Sequence, residues 1–281
     1  MIVEAILPTF RRDLGQFGIL RDSLARYRGD LSRCVVVVPE ADMDLFAQAI
    51  DNDPFYLLRS ETVVLGRVPP KYVFDWSRKR PGRAGRWVQQ LIKLHHCAHT
   101  SADWCLTLDA DCIARRPVDL ATMFVDGKGV DQVLDCSDLH DTWYQGSAKI
   151  LGPGVKRSGV EHPVTPTLLN AEACRMLIGH LAGRASAFDG NWMAMLMRRV
   201  PWSEYTLYYT YLEMIGQFDH YHTIVERPVL YNPYNAVWYP QQFAEWQPET
   251  GMDRALFDIV QSTAKADPAA IRAKLALAEA A

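Results

Sequence analysis

The 281-residue sequence predicts an α/β fold, a mostly parallel sheet flanked by helices, with a less regular C-terminal region. Three observations predict it. Apolar runs of strand length alternate with helical stripes over the first half, the strand-like runs favour β-branched residues, and proline punctuates them. Ile2 to Leu7 reads as a buried first strand stopped by Pro8. Leu14 to Tyr27 then places Leu14, Phe17, Leu20, Leu24 and Tyr27 on a helical stripe. Arg33 to Val38, stopped by Pro39, is the clearest strand, and Asp42 to Ile50 follows as a helix. Glu61 to Leu65 reads as a third strand. The order β-α-β-α-β predicts parallel strands covered by helices, with ligands at the strand carboxyl ends.

Composition narrows the function classes. With 49% hydrophobic and 22% charged residues the chain can bury a large core, and a formal charge of −3 gives no overall basic balance for nucleic acid. Phosphate recognition must therefore be local. Met1 to Pro8 has no basic leader, its apolar segment is too short for a signal peptide, and no run approaches membrane-span length. The expected location is cytoplasmic, with peripheral attachment at the inner membrane as a variant. Cys34, Cys97, Cys105, Cys112, Cys136 and Cys174 form no C-x-x-C pair and read as reduced, buried thiols.

The segment Ala102 to Cys112 is an apolar run that ends in Asp109-Ala110-Asp111. Two carboxylates one residue apart at the end of a strand put hard oxygen ligands at a sheet rim, where a divalent cation can hold them and a diphosphate together. Two other D-x-D matches lack that setting. Asp42-Met43-Asp44 starts a helix, and Asp51-Asn52-Asp53 runs into Pro54 as a polar turn. The bland reading of Asp109 and Asp111 is a turn with solvated carboxylates.

Between the third strand and Asp109 lies a loop rich in Pro, Gly and cations, Val68 to Arg86. It either closes over a diphosphate or stays solvated, and Lys71 and Arg86 are its functional candidates. In the helix from Trp87 to His95, Val88, Leu91, Ile92 and His95 form one apolar face. Trp87, Gln90 and Lys93 form a second stripe that faces either the nucleotide or water. His95 and His99 share a face but lack the glutamate of H-E-x-x-H, so they read as packed histidines.

Three stretches in this order, Trp87 to Leu94, Leu108 to Asp111, and Ser203-Glu204-Tyr205, resemble the motifs of GT-A fold glycosyltransferases, in particular a little-characterised bacterial branch. The resemblance implies a Rossmann-like GT-A domain with an acceptor-binding C-terminal region. It places Pro8 and Thr9 against the nucleoside, Asp109 on the ribose or a metal-bound water, and Asp111 on the metal. It also implies a late histidine ligand, for which His220 and His222 both qualify. Alternation along a strand would point both to one face, so spacing does not choose between them.

In the second half, Asn170 reads as an N-cap, and His162 is either structural or in contact with an acceptor hydroxyl. Ser203 resembles an N-cap that puts Glu204 in the first turn of an aromatic helix. Glu204 is then a helix-dipole carboxylate or, as the resemblance favours, a general base. Most of the late aromatics read as core, with Trp238 or Tyr239 as acceptor platforms. Asp267-Pro268 starts a terminal helix carrying Ile271, Leu275 and Ala278 on one face.

The expected organisation is a domain over 1–263, with a nucleotide-sugar-binding half over 1–125 and an acceptor-binding half over 126–263, then a helix over 264–281. The expected reaction is Mn²⁺- or Mg²⁺-dependent transfer of a sugar from a nucleotide-diphosphate donor, UDP-linked, to a hydroxyl acceptor with inversion, in surface glycan assembly. Arg86, Gln90 and Lys93 join Pro8, Thr9 and Asp109 as donor-site candidates. The expected partners are the donor and a glycan or other hydroxyl acceptor, without nucleic acid, and a homo-oligomer stays open. The alternatives are a nucleotidyltransferase, against which Pro8 to Arg12 lacks a glycine-rich phosphate loop, and a catalytically silent nucleotide-sugar-binding protein.

Overall fold

The computed structural model describes residues 1–66, 84–132, 138–198, 201–251 and 254–280. The chain runs β1 (Val3–Pro8), α1 (Leu14–Tyr27), β2 (Cys34–Val38), α2 (Met43–Ile50), β3 (Tyr56–Ser60), α3 (Glu61–Leu65), α4 (Ala84–His99), β4 (Trp104–Thr107) and β5 (Cys112–Ala114). It continues through β6 (Phe124–Val125), β7 (Lys128–Gln132), α5 (Asp138–Leu151), β8 (Thr167–Asn170), α6 (Ala171–Arg184), α7 (Trp192–Arg198), α8 (Glu204–Met214), β9 (His222–Val225), β10 (Phe257–Ile259) and α9 (Pro268–Ala280), with short helical turns between.

The central sheet has the order β3-β2-β1-β4-β8, with β1 to β4 parallel and β8 antiparallel to β4. Strands β1, β2 and β4 are buried along their whole length, which explains their unbroken apolar sequences. Thr9 and Leu108 continue the ladder beyond their strands, through Thr9 N to Val37 O at 2.9 Å and Leu108 N to Ile6 O at 2.9 Å. This register brings Thr9 and Asp109 to one carboxyl edge of the sheet. A smaller sheet orders β6-β7-β9, and β10 pairs antiparallel with β5, the strand that follows Asp111.

The third strand differs from the sequence expectation. It is Tyr56–Ser60, paired with β2 from Cys34↔Tyr56 to Val38↔Ser60, whereas Glu61–Leu65 is a helix. Ser60 explains the switch: its hydroxyl accepts the Val63 N–H at 3.3 Å, an N-cap that outweighs the β-branched Thr62, Val63 and Val64. His220 and His222 also part company. His220 is exposed on a helical turn over Phe218–Tyr221, while His222 opens β9 and is buried, so strand alternation does not relate them.

The terminal helix packs on α1. A Cβ on Gly15 would come within 2.7 Å of Pro268 Cγ, Ile271 is buried with Ile19, and Arg272 pairs with Asp22 at 2.6 Å. Cys34, Cys97, Cys105, Cys112 and Cys174 are buried free thiols. Among the described residues no helix is long and apolar enough to cross a membrane.

Candidate active site

Three elements converge on the buried ammonium of Lys93. From α4, Lys93 Nζ donates to Asp109 Oδ1 at 2.8 Å, Thr165 Oγ1 at 3.0 Å and the Tyr205 hydroxyl at 2.9 Å. It also lies 3.1 Å from Glu204 Oε1. Ser203 sets the start of α8 as expected, accepting from Thr206 N, and so fixes Glu204 and Tyr205 in the first turn. Tyr205 in turn bonds Thr165 and reaches Thr107 Oγ1 at 3.2 Å. Burial alone would lower the Lys93 pKa, but Asp109, the Tyr205 phenol and Glu204 outweigh it and hold the ammonium well above lysine's ordinary range. Lys93 therefore stays charged, a fixed cation between the strand-end aspartate and the helix-start glutamate.

Asp111 lies beyond the turn closed by Cys112 N to Asp109 O at 3.1 Å. Its Oδ2 accepts the Ser262 N–H at 3.1 Å, so the segment after β10 holds one carboxylate oxygen in place. Burial and the neighbouring Asp109 push Asp111 up to about 7 against the opposing Ser262 N–H. Burial and Asp109 likewise raise Asp13, in the turn that leads into α1, to about 6. Among the described residues Asp13, Asp109 and Asp111 do not gather their oxygens within 4.8 Å of one another, and Asp109 Oδ1 and Asp111 Oδ2 already accept from Lys93 and Ser262. The second oxygen of each of Asp109 and Asp111 is a hard donor of the kind a divalent cation takes.

The remaining candidates fall into separate settings. Pro8 and Thr9 are buried at the end of β1, and Thr9 Oγ1 has no hydrogen-bond partner among the described residues. Trp87 and Gln90 are buried on the same stripe as Lys93, so this face is turned into the protein, and Gln90 Oε1 has no partner among the described residues. Arg86 is exposed, with its guanidinium 5.2 Å from the centre of the Trp143 ring. Lys71 lies outside the described residues. Among those residues no contact joins His220 or His222 to Asp109 or Asp111. His222 bonds the Tyr208 hydroxyl at 2.9 Å among Trp104, Tyr209 and Phe218, and burial lowers its pKa to about 3. Trp238 packs edge-on to Tyr231, and Tyr239 is exposed.

The alternative D-x-D aspartates serve local structure. Asp42 accepts from Arg11 N and Nε, and Asp53 accepts from Phe55 N at 2.9 Å. His95 and His99 stack at 4.0 Å. Glu4, His96 and Cys105 bring ligating atoms within 4.8 Å of one another, but Glu4 is already taken by Arg33 at 2.6 Å and His96 at 2.7 Å. Thr165, Asp13 and Ser262 escaped the sequence reading because no local pattern marks them, whereas Tyr205 lies within the Ser203-Glu204-Tyr205 stretch but received no role of its own.

The profile of a family of unknown function, DUF6492, matches residues 1–279. No curated protein sequence matches the chain. Among solved structures, mouse xyloside xylosyltransferase 1 in its apo form is similar at a TM-score of 0.51 and 12% identity, covering 93% of this chain and 98% of that one. An active-site mutant of LgtC is similar at a TM-score of 0.47 and 14% identity, covering 89% and 80%. The α/β architecture is thus that of GT-A glycosyltransferases, a mostly parallel sheet flanked by helices.

Proposed function

This chain belongs to the DUF6492 family, and we propose that it is a metal-dependent glycosyltransferase that moves a sugar from a nucleotide-diphosphate donor, UDP-linked, to a hydroxyl acceptor with inversion. The observation that carries the reading is the Lys93 cluster, which ties strand-end Asp109, two residues before Asp111, to helix-start Glu204. Asp109 and Asp111 would hold Mn²⁺ or Mg²⁺, whose chemistry there is to neutralise a diphosphate leaving group. Lys93 adds a fixed positive charge at the same edge and orients both carboxylates. Thr9 and Gln90, each with a buried oxygen lacking a partner among the described residues, are suited to hydrogen-bond the nucleoside side of the donor, with Pro8 beside Thr9 and the exposed Arg86. Glu204 takes the acceptor proton, the role that its first-turn position and its place across Lys93 from Asp109 support. We assign the halves 1–125 and 126–263 to donor and acceptor, and the reaction to surface glycan assembly.

Calorimetric titration of UDP with Mn²⁺ tests this. Asp111→Ala should abolish metal-dependent binding, whereas Asp44→Ala and Asp53→Ala, which alter a surface helix and a turn, should leave it intact. Equal loss in all three would refute the choice of carboxylates, and binding of UDP without turnover of any UDP-sugar would favour a silent binding protein.

A further inference from the structure

Asp111, the carboxylate that the glycosyltransferase reading gives to the cation, is gripped by the far end of the chain. Strand β10 pairs with β5 up to Ile259↔Cys112, and the ladder runs one residue further, where Val260 N donates to Asp111 O at 3.1 Å. Successive N–H groups of an extended segment point to opposite sides. Gln261 N accordingly turns away and donates to Val237 O at 2.9 Å, and Ser262 N turns back and donates to Asp111 Oδ2 at 3.1 Å. The main chain thus holds Asp111 twice, once by its carbonyl and once by its carboxylate, and the second bond spans 151 positions.

A hydrophobic cluster apart from the main core fixes this segment. Val260 and Ala264, on either side of Ser262, are buried with Ile19 of α1, Ile113 of β5, Val237, Trp246 and Ile271 of α9. Ser262 itself is exposed, and it is its main-chain N–H that Asp111 uses. A buried frame on both sides of an exposed residue sets the direction of that N–H whatever side chain the residue carries. Carboxylates that bind metals are commonly hydrogen-bonded in this way, because a ligand already held in one orientation loses less freedom when the cation arrives.

We propose that the Ser262 main-chain N–H is a positioning group of the cation site: it holds Oδ2 of Asp111 and leaves the other carboxylate oxygen to the metal, so the C-terminal segment completes the site. The role rests on the reading of Asp111 as a metal ligand. Ser262→Pro deletes the N–H at a position whose backbone suits proline. Gln261 has φ −59° and ψ 140°, the extended form preferred before proline, and Ser262 opens the helical turn Ser262–Ala264, in which Lys265 N donates to the Ser262 carbonyl. Ser262→Ala keeps the N–H and is the control. Equilibrium dialysis of Mn²⁺ against the full chain, with UDP on both sides, reads the affinity. Ser262→Pro should weaken Mn²⁺ binding about tenfold or more, Ser262→Ala should bind like the unaltered chain, and melting curves should show both folded. Unchanged affinity in Ser262→Pro, or an equal loss in Ser262→Ala, would overturn the positioning role. If Ser262→Pro does not fold, ¹⁵N-serine labelling decides. The amide resonance that vanishes in Ser262→Ala should shift when Mg²⁺ is added with UDP, and an unmoved resonance would overturn the role. Asp111→Ala reads the underlying assignment separately. Mn²⁺ binding retained in that variant, or absent from the unaltered chain, refutes Asp111 as a ligand and the positioning role with it. Binding lost in Asp111→Ala but full in Ser262→Pro refutes the positioning role alone.

Discussion

Glu204 and Gln90 illustrate how much a single side chain's surroundings decide. Glu204 is only 3% exposed and pairs with a charged lysine, so its exchange for an isosteric amide tests chemistry with little change in packing. Glu204→Gln is expected to lower turnover roughly 10²-fold or more with UDP affinity close to unchanged, because a general base acts on the acceptor proton in the transition state. A purely structural Glu204 would instead show as the loss of a buried ion-pair partner, on the order of 3 kcal/mol of stability, with the turnover of the folded fraction largely intact. Steady-state kinetics beside a melting curve separate the two. Gln90 is also buried, yet its Oε1 meets no partner among the described residues, so Gln90→Ala breaks no bond to that oxygen there. Donor affinity should fall beside a melting temperature lowered by the cavity that truncating a buried side chain leaves; unchanged affinity in calorimetry would remove Gln90 from the donor site. Asp109 and Asp111 were legible as residues because an apolar strand precedes them. Lys93 was legible only as one of three polar or amphipathic positions on a helix, since its partners Thr165 and Tyr205 lie 72 and 112 residues away in sequence.

Elements fix where such residues stand, and α8 depends on a close approach by α5. Gly146 of α5 meets the chain just before Ser203: a Cβ there would lie 1.5 Å from the Pro201 carbonyl oxygen, a backbone atom that cannot swing aside. Gly146→Ala must push α5 away from the entry to α8, at an expected cost of about 2 kcal/mol or more. Because Glu204 follows Pro201 by three residues, activity should fall more than the loss of folded protein explains. Thermal melting and the specific activity of the folded fraction check this, and an unshifted melting temperature would mean that the helices separate without cost. The sequence marked the caps of both Asn170 and Ser203, since an N-cap is a local hydrogen bond between a side chain and the next turn. It misassigned Glu61 to Leu65 because β-branching and capping there oppose each other, and the apolar content of five residues does not say which prevails.

Across the whole molecule, the polar network around His162 links stability to pH. Burial would lower the pKa of this imidazole, but the hydrogen bonds it donates to the Asp131 and Glu213 carboxylates outweigh it and raise it to about 9, with Tyr209, Phe218 and the neutral His222 completing its surroundings. The folded chain thus holds the proton more tightly than the unfolded chain, whose histidine titrates near 6.5. The contribution is fully present below 6.5 and is lost as pH rises through about 9, an amount on the order of 3 kcal/mol. The melting temperature should therefore fall across that window, and His162→Gln should flatten the fall; a parallel decline in the variant would assign the dependence to other groups.

By itself the sequence determined the alternating strand and helix order, the strand that delivers Asp109 and Asp111, the helix starts at Asn170 and Ser203, and the absence of paired cysteine motifs. Each of these rests on period, cap or composition, which act over a few neighbouring residues. Only the tertiary structure decided that Lys93 joins Asp109 to Glu204, that Ser262 holds Asp111, that His222 belongs to an aromatic cluster, and that His162 stands between two carboxylates. Those pairings form across strand registers and helix contacts between distant parts of the chain. Burial then sets their strength, because a charge removed from water is governed by the few groups the fold places beside it.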